Sequence, residues 1–287
     1  MAAELIKGLE IAQKKRMEIK EKVESLKKQG VTPGLAVVLV GDNPASLSYV
    51  KGKKKASEEA GMYFELIEFP DTVAEERVLQ EIDRLNKDEK IHGFLVQLPL
   101  PKHIKEEAVI EAISPEKDVD GFHPINIGKM MIGQETLLPC TPHGIIELVK
   151  EMQIEISGKH VVVVGRSNIV GKPVGQLFLN EDATVTYCHS KTKNLKEITK
   201  LADILVVAVG RAKFITADYV KKDAVVIDVG VNRLETGKLC GDVDFEDVLG
   251  TASYITPVPK GVGPMTITML LHNTVTAAER LNMLCTK

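Results

Sequence analysis

The stretch HVVVVGRSNIVGKPVGQLFLNEDATVTYC, residues 160–188, decides the fold. An apolar run ends at Gly165, a turn rich in small residues leads into a helical stretch near 171–180, and a second strand-like run follows at ATVTYC. Strand, helix and strand in that order make the βαβ unit of a parallel sheet. Reading outward, further strands are expected at DILVVAVG, AVVIDVG and SYIT, with helical stretches near 194–201 and 244–249. The same rhythm fills the first half. Runs 35–40, 63–68 and 92–98 predict strands, and 45–60, 74–87 and 105–112 predict helices. Before them, Leu5, Ile11, Met17, Val23 and Leu26 fall on helical spacing until Gly30 and Pro33 stop the pattern.

The expected fold class is α/β: two α/β domains with a cleft between them, the C-terminal one a Rossmann-like parallel sheet. The N-terminal domain spans 1–139 and is joined by a C-terminal helix over 265–287, and 140–264 forms the second domain. Residues 114–141, SPEKDVDGFHPINIGKMMIGQETLLPCT, are rich in proline and glycine and weakly periodic. Long ordered loops of this kind are usually functional, and the cleft is placed there.

With 287 residues the chain has room for two domains of ordinary size. Its 37 lysines and arginines face 40 aspartates and glutamates, so the net charge of -3 provides no basic field for nucleic acid or an anionic membrane. A small-molecule partner is expected instead. Cys140, Cys188, Cys240 and Cys285 include no C-x-x-C pair, which speaks against a disulfide framework or zinc site and for a reducing interior. Residues 1–30 are charged every few positions, so no signal-peptide core is present, and no later run reaches the ~18 apolar residues of a membrane span. A cytoplasmic protein is expected. No histidine lies in an H-E-x-x-H motif and no hydroxyl residue in a nucleophile elbow, so neither a metal nor acyl-enzyme chemistry is expected. His123 and His143 read as loop or capping residues.

The turn after Gly165 has the small residues that let backbone N–H groups approach a pyrophosphate at a helix N-terminus. Its spacing departs from G-x-G-x-x-G, because five residues separate Gly165 from Gly171 and Arg166 takes the tight-turn position. A P-loop fits no better, since Pro173 stands where a magnesium-binding Ser or Thr is required. An NAD site carries an acidic residue at the end of the next strand, to hold the ribose 2′-hydroxyl. Here that position reads Cys188, His189, Ser190, Lys191. Together with Arg166 these side chains supply cations and a hydroxyl but no carboxylate, which suits a 2′-phosphate and favours NADP over NAD. The pattern alone also admits Arg166 and Lys191 as solvated loop charges. Gly210 and Gly230 end two more strands, where they either border the nicotinamide or serve as simple turn glycines.

In NPASLSYVKGKKKASEEAG, Asn43 and Pro44 start a helix that places Tyr49 and Lys53 on one face. Lys53 lies among Lys51, Lys54 and Lys55, and like charge combined with burial would bring its pKa toward the range useful for proton transfer. Charge density by itself makes all four a solvated face. Gln97 is the polar residue near the carboxyl end of GFLVQLPLP, either a ligand contact or an amide satisfied by loop backbone. In EKDVDGFHP, Asp118 and Asp120 flank Val119 and either is placed to cap a turn, with Asp120 before Gly121 an ordinary turn signal.

Six segments in register, VGDNPASLSYVKGKKKASEEAG, GFLVQLPLP, EKDVDGFHPINIGK, LPCTPHGI, GRSNIVGKPVGQL and ITPVPKGVGPMTITML, closely resemble the bifunctional methylenetetrahydrofolate dehydrogenase/cyclohydrolase family. The match covers nearly the whole chain. The resemblance implies oxidation of 5,10-methylenetetrahydrofolate with NADP, hydrolysis of the 5,10-methenyl cation to 10-formyltetrahydrofolate in one-carbon metabolism, and a homodimer joined through the cofactor domains. Carried over residue by residue, it puts the catalytic lysine at Lys53, the folate-stacking tyrosine at Tyr49, the lysine-orienting glutamine at Gln97 and the pterin-binding aspartate at Asp120. Leu98 also falls at the substrate. The NADP contacts fall on Gly165, Arg166, Ser167, Ser190 and Val231, and the loop PVPKGVGPMT brings Pro257, Val258, Gly263, Pro264 and Thr266 to the folate. Cys140 is implied as a lining residue, not a nucleophile.

One position departs from the family's pattern, which has glycine where this chain has Lys260. If φ is positive there, a lysine costs of order 1 kcal/mol, and its charge either meets a folate carboxylate or obstructs the cleft. Two rival readings are a dehydrogenase that has lost hydrolysis and a nonenzymatic NADP-binding regulator. The intact set Tyr49, Lys53, Gln97 and Asp120 argues against both.

Overall fold

A computed structural model describes residues 2–285; residue 1, and residues 286 and 287 at the end of the helix expected over 265–287, lie outside the described residues. Through the first half the chain runs β1 (Glu4–Leu5), α1 (Gly8–Lys28), β2 (Gly34–Val40), α2 (Pro44–Glu59), β3 (Tyr63–Phe69), α3 (Glu75–Lys87), β4 (Gly93–Val96), α4 (Glu106–Ala112), α5 (Pro124–Met131) and α6 (Cys140–Glu151). Through the second it runs β5 (His160–Val164), α7 (Gly171–Asn180), β6 (Thr184–Cys188), α8 (Leu195–Thr199), β7 (Ile204–Val207), β8 (Val225–Asp228), β9 (Asn232–Arg233), β10 (Leu239–Cys240), α9 (Phe245–Val248), β11 (Tyr254–Ile255) and α10 (Val262–Cys285). These elements fall into two units. One comprises Lys14–Cys140 and the residues from Ile267 on, the other the residues up to Gln13 and Thr141–Thr266.

In the first unit β3, β2 and β4 lie side by side in that order, all parallel. Every residue of β2 is buried, as a central strand covered on both faces requires. Helix α3 turns Val78, Ile82 and Leu85 onto one face, and they join Ala36, Val38, Phe94 and Val96 in the core. Helix α2 starts where the local chemistry asks it to. The Asn43 Oδ1 accepts from Ser46 N at 3.3 Å and Pro44 opens the first turn.

The second unit is a six-stranded parallel sheet in the order β1-β11-β8-β7-β5-β6. Val162, Val164, Leu205, Val207, Val226 and Ile255 form its core. The β-branched residues that fill β5, β7 and β8 suit strands buried on both faces.

Three features differ from the sequence expectation. Leu5 belongs to a strand, not a helix: Glu4 and Leu5 pair with Tyr254 and Ile255, so the residues up to Gln13 go with the six-stranded sheet and not with the N-terminal domain of 1–139. A two-residue strand is too short to show a period. Helix α1 begins at Gly8 and buries Ala12, Ile19, Val23 and Leu26, leaving Met17 68% exposed. Secondly, residues 114–141, expected as an ordered loop, contain α5 and the first residues of α6. Pro124 at the first helical position and the nearby glycines hide that periodicity. His143 therefore lies inside α6, whereas His123 is a cap, its Nδ1 accepting from Ile125 N at 3.1 Å. Thirdly, β9 and β10 add an antiparallel hairpin.

Candidate active site

The four lysines of α2 separate into two kinds. Lys51, Lys54 and Lys55 are exposed, and the last two approach Glu58 and Glu59 one turn on. Lys53 is only 6% exposed. Its Nζ donates to Gln97 Oε1 at 2.9 Å. Gln97 stands one residue past β4 and extends the ladder, its backbone N donating to Val38 O at 2.8 Å. The Gln97 Nε2 donates to Leu98 O at 2.8 Å, so both ends of the amide are engaged and its orientation is fixed by partners of opposite kind. One turn before Lys53, the ring of Tyr49 is 42% exposed.

The two aspartates of the 118–120 segment do different work. Asp118 is 2% exposed and accepts from Gly121 N at 3.2 Å, His123 N at 2.8 Å and Asn126 Nδ2 at 2.9 Å, which makes it the residue that caps the turn, where local pattern pointed first to Asp120 before Gly121. Asp120 instead has Lys53 in its field. Burial pushes the Asp120 carboxyl up, the Lys53 charge draws it down, and Asp118 pushes it up again. Gly121 follows at φ +75°, and a Cβ there would stand 2.4 Å from the Leu138 carbonyl carbon, so only glycine lets the segment pass so close.

Asn273 on α10 ties this arrangement together. Its Nδ2 donates to Val119 O at 2.9 Å and to Leu138 O at 2.8 Å. Cys140 donates its thiol to Val119 O at 3.2 Å, and its backbone N donates to Asp120 O at 3.3 Å. Burial first, and then the neighbouring Asp120 carboxyl, raise the Cys140 thiol well above its usual range, which leaves it unreactive. Lys53, Gln97, Asp120 and Cys140 thus share one locality, with Asp118 and Asn273 as its supports. Sequence reading missed Asn273, although an amide in the middle of the helical segment MTITMLLHNTVTAAERLNML, which must find partners when buried, was a readable signal.

In the other unit the turn after β5 is closely packed. Gly165 has φ +141°, and a Cβ on it would stand 2.3 Å from Ala208 O; one on Gly171 would stand 2.6 Å from Gly165 O. Ser167 Oγ accepts from Val170 N and Gly171 N at 3.2 Å each, capping the start of α7. Arg166, Ser167, Ser190 and Lys191 are exposed beyond the carboxyl ends of β5 and β6, and residues 188–192 contain no carboxylate. A turn closed at both ends by glycine, with cations and hydroxyls at its rim, fits the pyrophosphate and 2′-phosphate of NADP. Val231, beyond β8, is 51% exposed.

The segment 257–266 satisfies the condition attached to its departure from the family pattern. Lys260 has φ +81°. Its carbonyl accepts from Leu9 N at 3.0 Å, and Gly8 lies so close to Gly261 that a Cβ would reach within 1.9 Å of the Gly261 oxygen. The loop is thereby fixed with Lys260 in the left-handed region. Thr266 Oγ1 lies 2.8 Å from Thr141 Oγ1, while Pro257, Val258, Gly263 and Pro264 are half-buried.

Comparison with known proteins matches both units. A family model for the tetrahydrofolate dehydrogenase/cyclohydrolase catalytic domain matches residues 6–120, and one for the NAD(P)-binding domain of the same family matches residues 139–282. The bifunctional protein FolD of Bacillus cytotoxicus is 75% identical over 285 residues, which cover 99% of this chain and 100% of that protein. A solved structure of the bifunctional enzyme FolD, methylenetetrahydrofolate dehydrogenase/cyclohydrolase, from Campylobacter jejuni is 49% identical, with a TM-score of 0.96 over 98% of this chain and 100% of that one. The methylenetetrahydrofolate dehydrogenase-cyclohydrolase of Trypanosoma brucei, solved with NADP cofactor and an inhibitor, is 39% identical, with a TM-score of 0.94 over 98% of this chain and 99% of that one. With family models spanning both units and a full-length relative at that identity, the chain belongs to the tetrahydrofolate dehydrogenase/cyclohydrolase family.

Proposed function

We propose that the chain oxidises 5,10-methylenetetrahydrofolate to 5,10-methenyltetrahydrofolate with NADP and hydrolyses that product to 10-formyltetrahydrofolate. The observation that carries this reading is Lys53, buried, held by Gln97 at 2.9 Å and facing the charge of Asp120. NADP, when bound, supplies the acceptor for the hydride that leaves the folate methylene carbon. Arg166 and Ser190 hold the 2′-phosphate, the backbone at Gly165 and Ser167 lies along the pyrophosphate, and Val231 borders the nicotinamide.

On the folate side, Tyr49 offers its exposed ring for stacking on the pterin and Asp120 binds the pterin nitrogens. Leu98, Pro257, Val258, Gly263, Pro264 and Thr266 line the substrate. In the hydrolytic step the water oxygen bonds to the methenyl carbon and one water proton is passed on through Lys53; as the bond from that carbon to N5 then breaks, the remaining hydroxyl proton is transferred to N5, leaving the formyl group on N10. Gln97 keeps the Lys53 nitrogen aimed while the proton moves. Nothing in this step requires Cys140, whose thiol is buried and protonated.

The chain is further proposed to act in the cytoplasm as a homodimer joined through the cofactor unit. Two features support this reading. The β6 strand is an edge of the six-stranded sheet and carries Tyr187, 41% exposed. Cys140, Cys188 and Cys240 carry free thiols, as a reducing compartment maintains.

The decisive experiment follows NADPH and methenyltetrahydrofolate by absorbance in one mixture. The bifunctional enzyme forms the first and consumes the second. Accumulation of methenyltetrahydrofolate beyond its spontaneous decay would instead identify a dehydrogenase without hydrolysis, and absence of both signals with NADP bound would identify a nonenzymatic binder.

A further inference from the structure

Two backbone segments leave the carboxyl ends of the adjacent parallel strands β7 and β8, and one buried carboxylate holds both. Asp242 is 0% exposed. Its Oδ2 accepts from Val209 N at 2.6 Å and Gly210 N at 2.9 Å, and its Oδ1 accepts from Arg211 N at 2.8 Å. Three consecutive amides thus converge on one carboxylate, the geometry of a backbone anion nest filled by the protein's own anion. The fourth donor comes from the segment after β8, where Asn232 Nδ2 reaches the same Oδ1 at 2.8 Å.

That second segment is pressed against the carboxylate. A Cβ on Gly230 would stand 2.2 Å from Asp242 Cγ. Gly230 N and Asp242 N both donate to Asp228 Oδ1, at 3.0 and 2.9 Å, so Asp228 locks the two chain segments to each other. Ligands of open parallel sheets bind outside the carboxyl ends of the strands. Between the fixed points, Gly210 and Val231 remain exposed.

We propose that Asp242 is a positioning residue for the cofactor, fixing segments 209–211 and 230–232 so that their exposed backbone receives the nicotinamide half of NADP. The inference rests on the dehydrogenase reading above and assigns a task to a residue that does not itself touch the cofactor. Gly230 has a part in the same arrangement, since its lack of a side chain allows the approach of Asp242.

The test is Asp242→Asn, which keeps the shape but places an NH2 among four N–H donors. Three quantities are measured on the full chain: kcat/KM for NADP, the Kd of 2′,5′-ADP as a probe of the adenosine half, and the cyclohydrolase rate without NADP, which depends on Lys53 and Gln97 in the other unit. The expected result is a loss of about tenfold or more in kcat/KM for NADP, with the other two quantities within about twofold of wild type. An unchanged kcat/KM for NADP, or a parallel loss in all three, would overturn the proposal. Should Asp242→Asn not fold, Asn232→Ala removes one donor of the four. It should reproduce the same selective pattern at about threefold, and a uniform or absent effect counts against the proposal equally. A wild-type chain that binds 2′,5′-ADP but never reduces NADP would remove the dehydrogenase reading itself.

Discussion

Lys53 donates to Gln97 across 2.9 Å, joining the middle of α2 to the residue just past β4. Because the Gln97 nitrogen is engaged by Leu98 O, the amide oxygen is the end turned to the lysine. Lys53→Met should therefore abolish hydrolysis, a fall of at least about a hundredfold, while circular dichroism and the melting temperature stay near wild type, since methionine fills the same buried space without a charge. Gln97→Leu should lower the cyclohydrolase kcat by about tenfold with a smaller change in folate KM. A Lys53→Met protein with the wild-type cyclohydrolase rate would refute the role given to this side chain.

Lys260 adopts φ +81° in a loop implied to meet the folate. Glycine there relieves about 1 kcal/mol of backbone strain but adds unfolded-chain entropy of similar size, so Lys260→Gly should change stability by less than about 1 kcal/mol. Its kinetic effect should be selective, with the folate KM changing more than the NADP KM. Equal changes in both constants would show that the side chain does not act at the folate.

Arg166 is exposed beyond the carboxyl end of β5, and residues 188–192 beyond β6 contain no carboxylate. A charge-assisted hydrogen bond at a wet site contributes at the lower end of about 1.5–3 kcal/mol. Arg166→Ala should then raise the KM for NADP about tenfold and leave the weaker activity with NAD within about twofold. Parallel losses with both cofactors would mean that Arg166 does not read the phosphate.

The Asp228 carboxyl is raised by burial to about 7 against an ordinary 3.8. Between those values the folded chain keeps a proton that the unfolded chain has released, so the contribution of Asp228 to stability is full below about pH 4 and declines as pH rises toward 7. Urea denaturation of wild type and Asp228→Asn between pH 4.5 and 8 isolates the effect, because asparagine cannot ionise. The wild-type curve should fall relative to the variant by up to a few kcal/mol across this window and then level off. Parallel curves would show that Asp228 keeps an ordinary carboxyl.

Much of the fold was legible because the buried strands are written as unbroken apolar runs. HVVVV, DILVV and AVVID needed no neighbour to identify them, and Asn43 with Pro44 marked the start of α2 by local hydrogen bonding alone. Helix α5 and the two-residue strand β1 were not legible, the first because Pro124 and Gly128 interrupt its period, the second because pairing with β11 is what makes it a strand. At the site, the cations beyond β5 and β6 could be read against a phosphate, since charge and the absence of a carboxylate are properties of composition.

By itself, then, the sequence determined the alternation of strands and helices, the NADP-type turn and, through six segments in register, the family. Local pattern alone could not distinguish Lys53 from Lys51, Lys54 and Lys55, nor Asp120 from Asp118, because neighbours in sequence share the same chemistry; only the resemblance singled out Lys53 and Asp120. The tertiary structure gives these neighbours different surroundings, by burial and by partners distant along the chain: Lys53 donates to Gln97, and the Lys53 charge reaches Asp120 while backbone amides donate to Asp118. Asn273 and Asp242 owe their importance wholly to carbonyls and amides that folding brings to them from far along the chain.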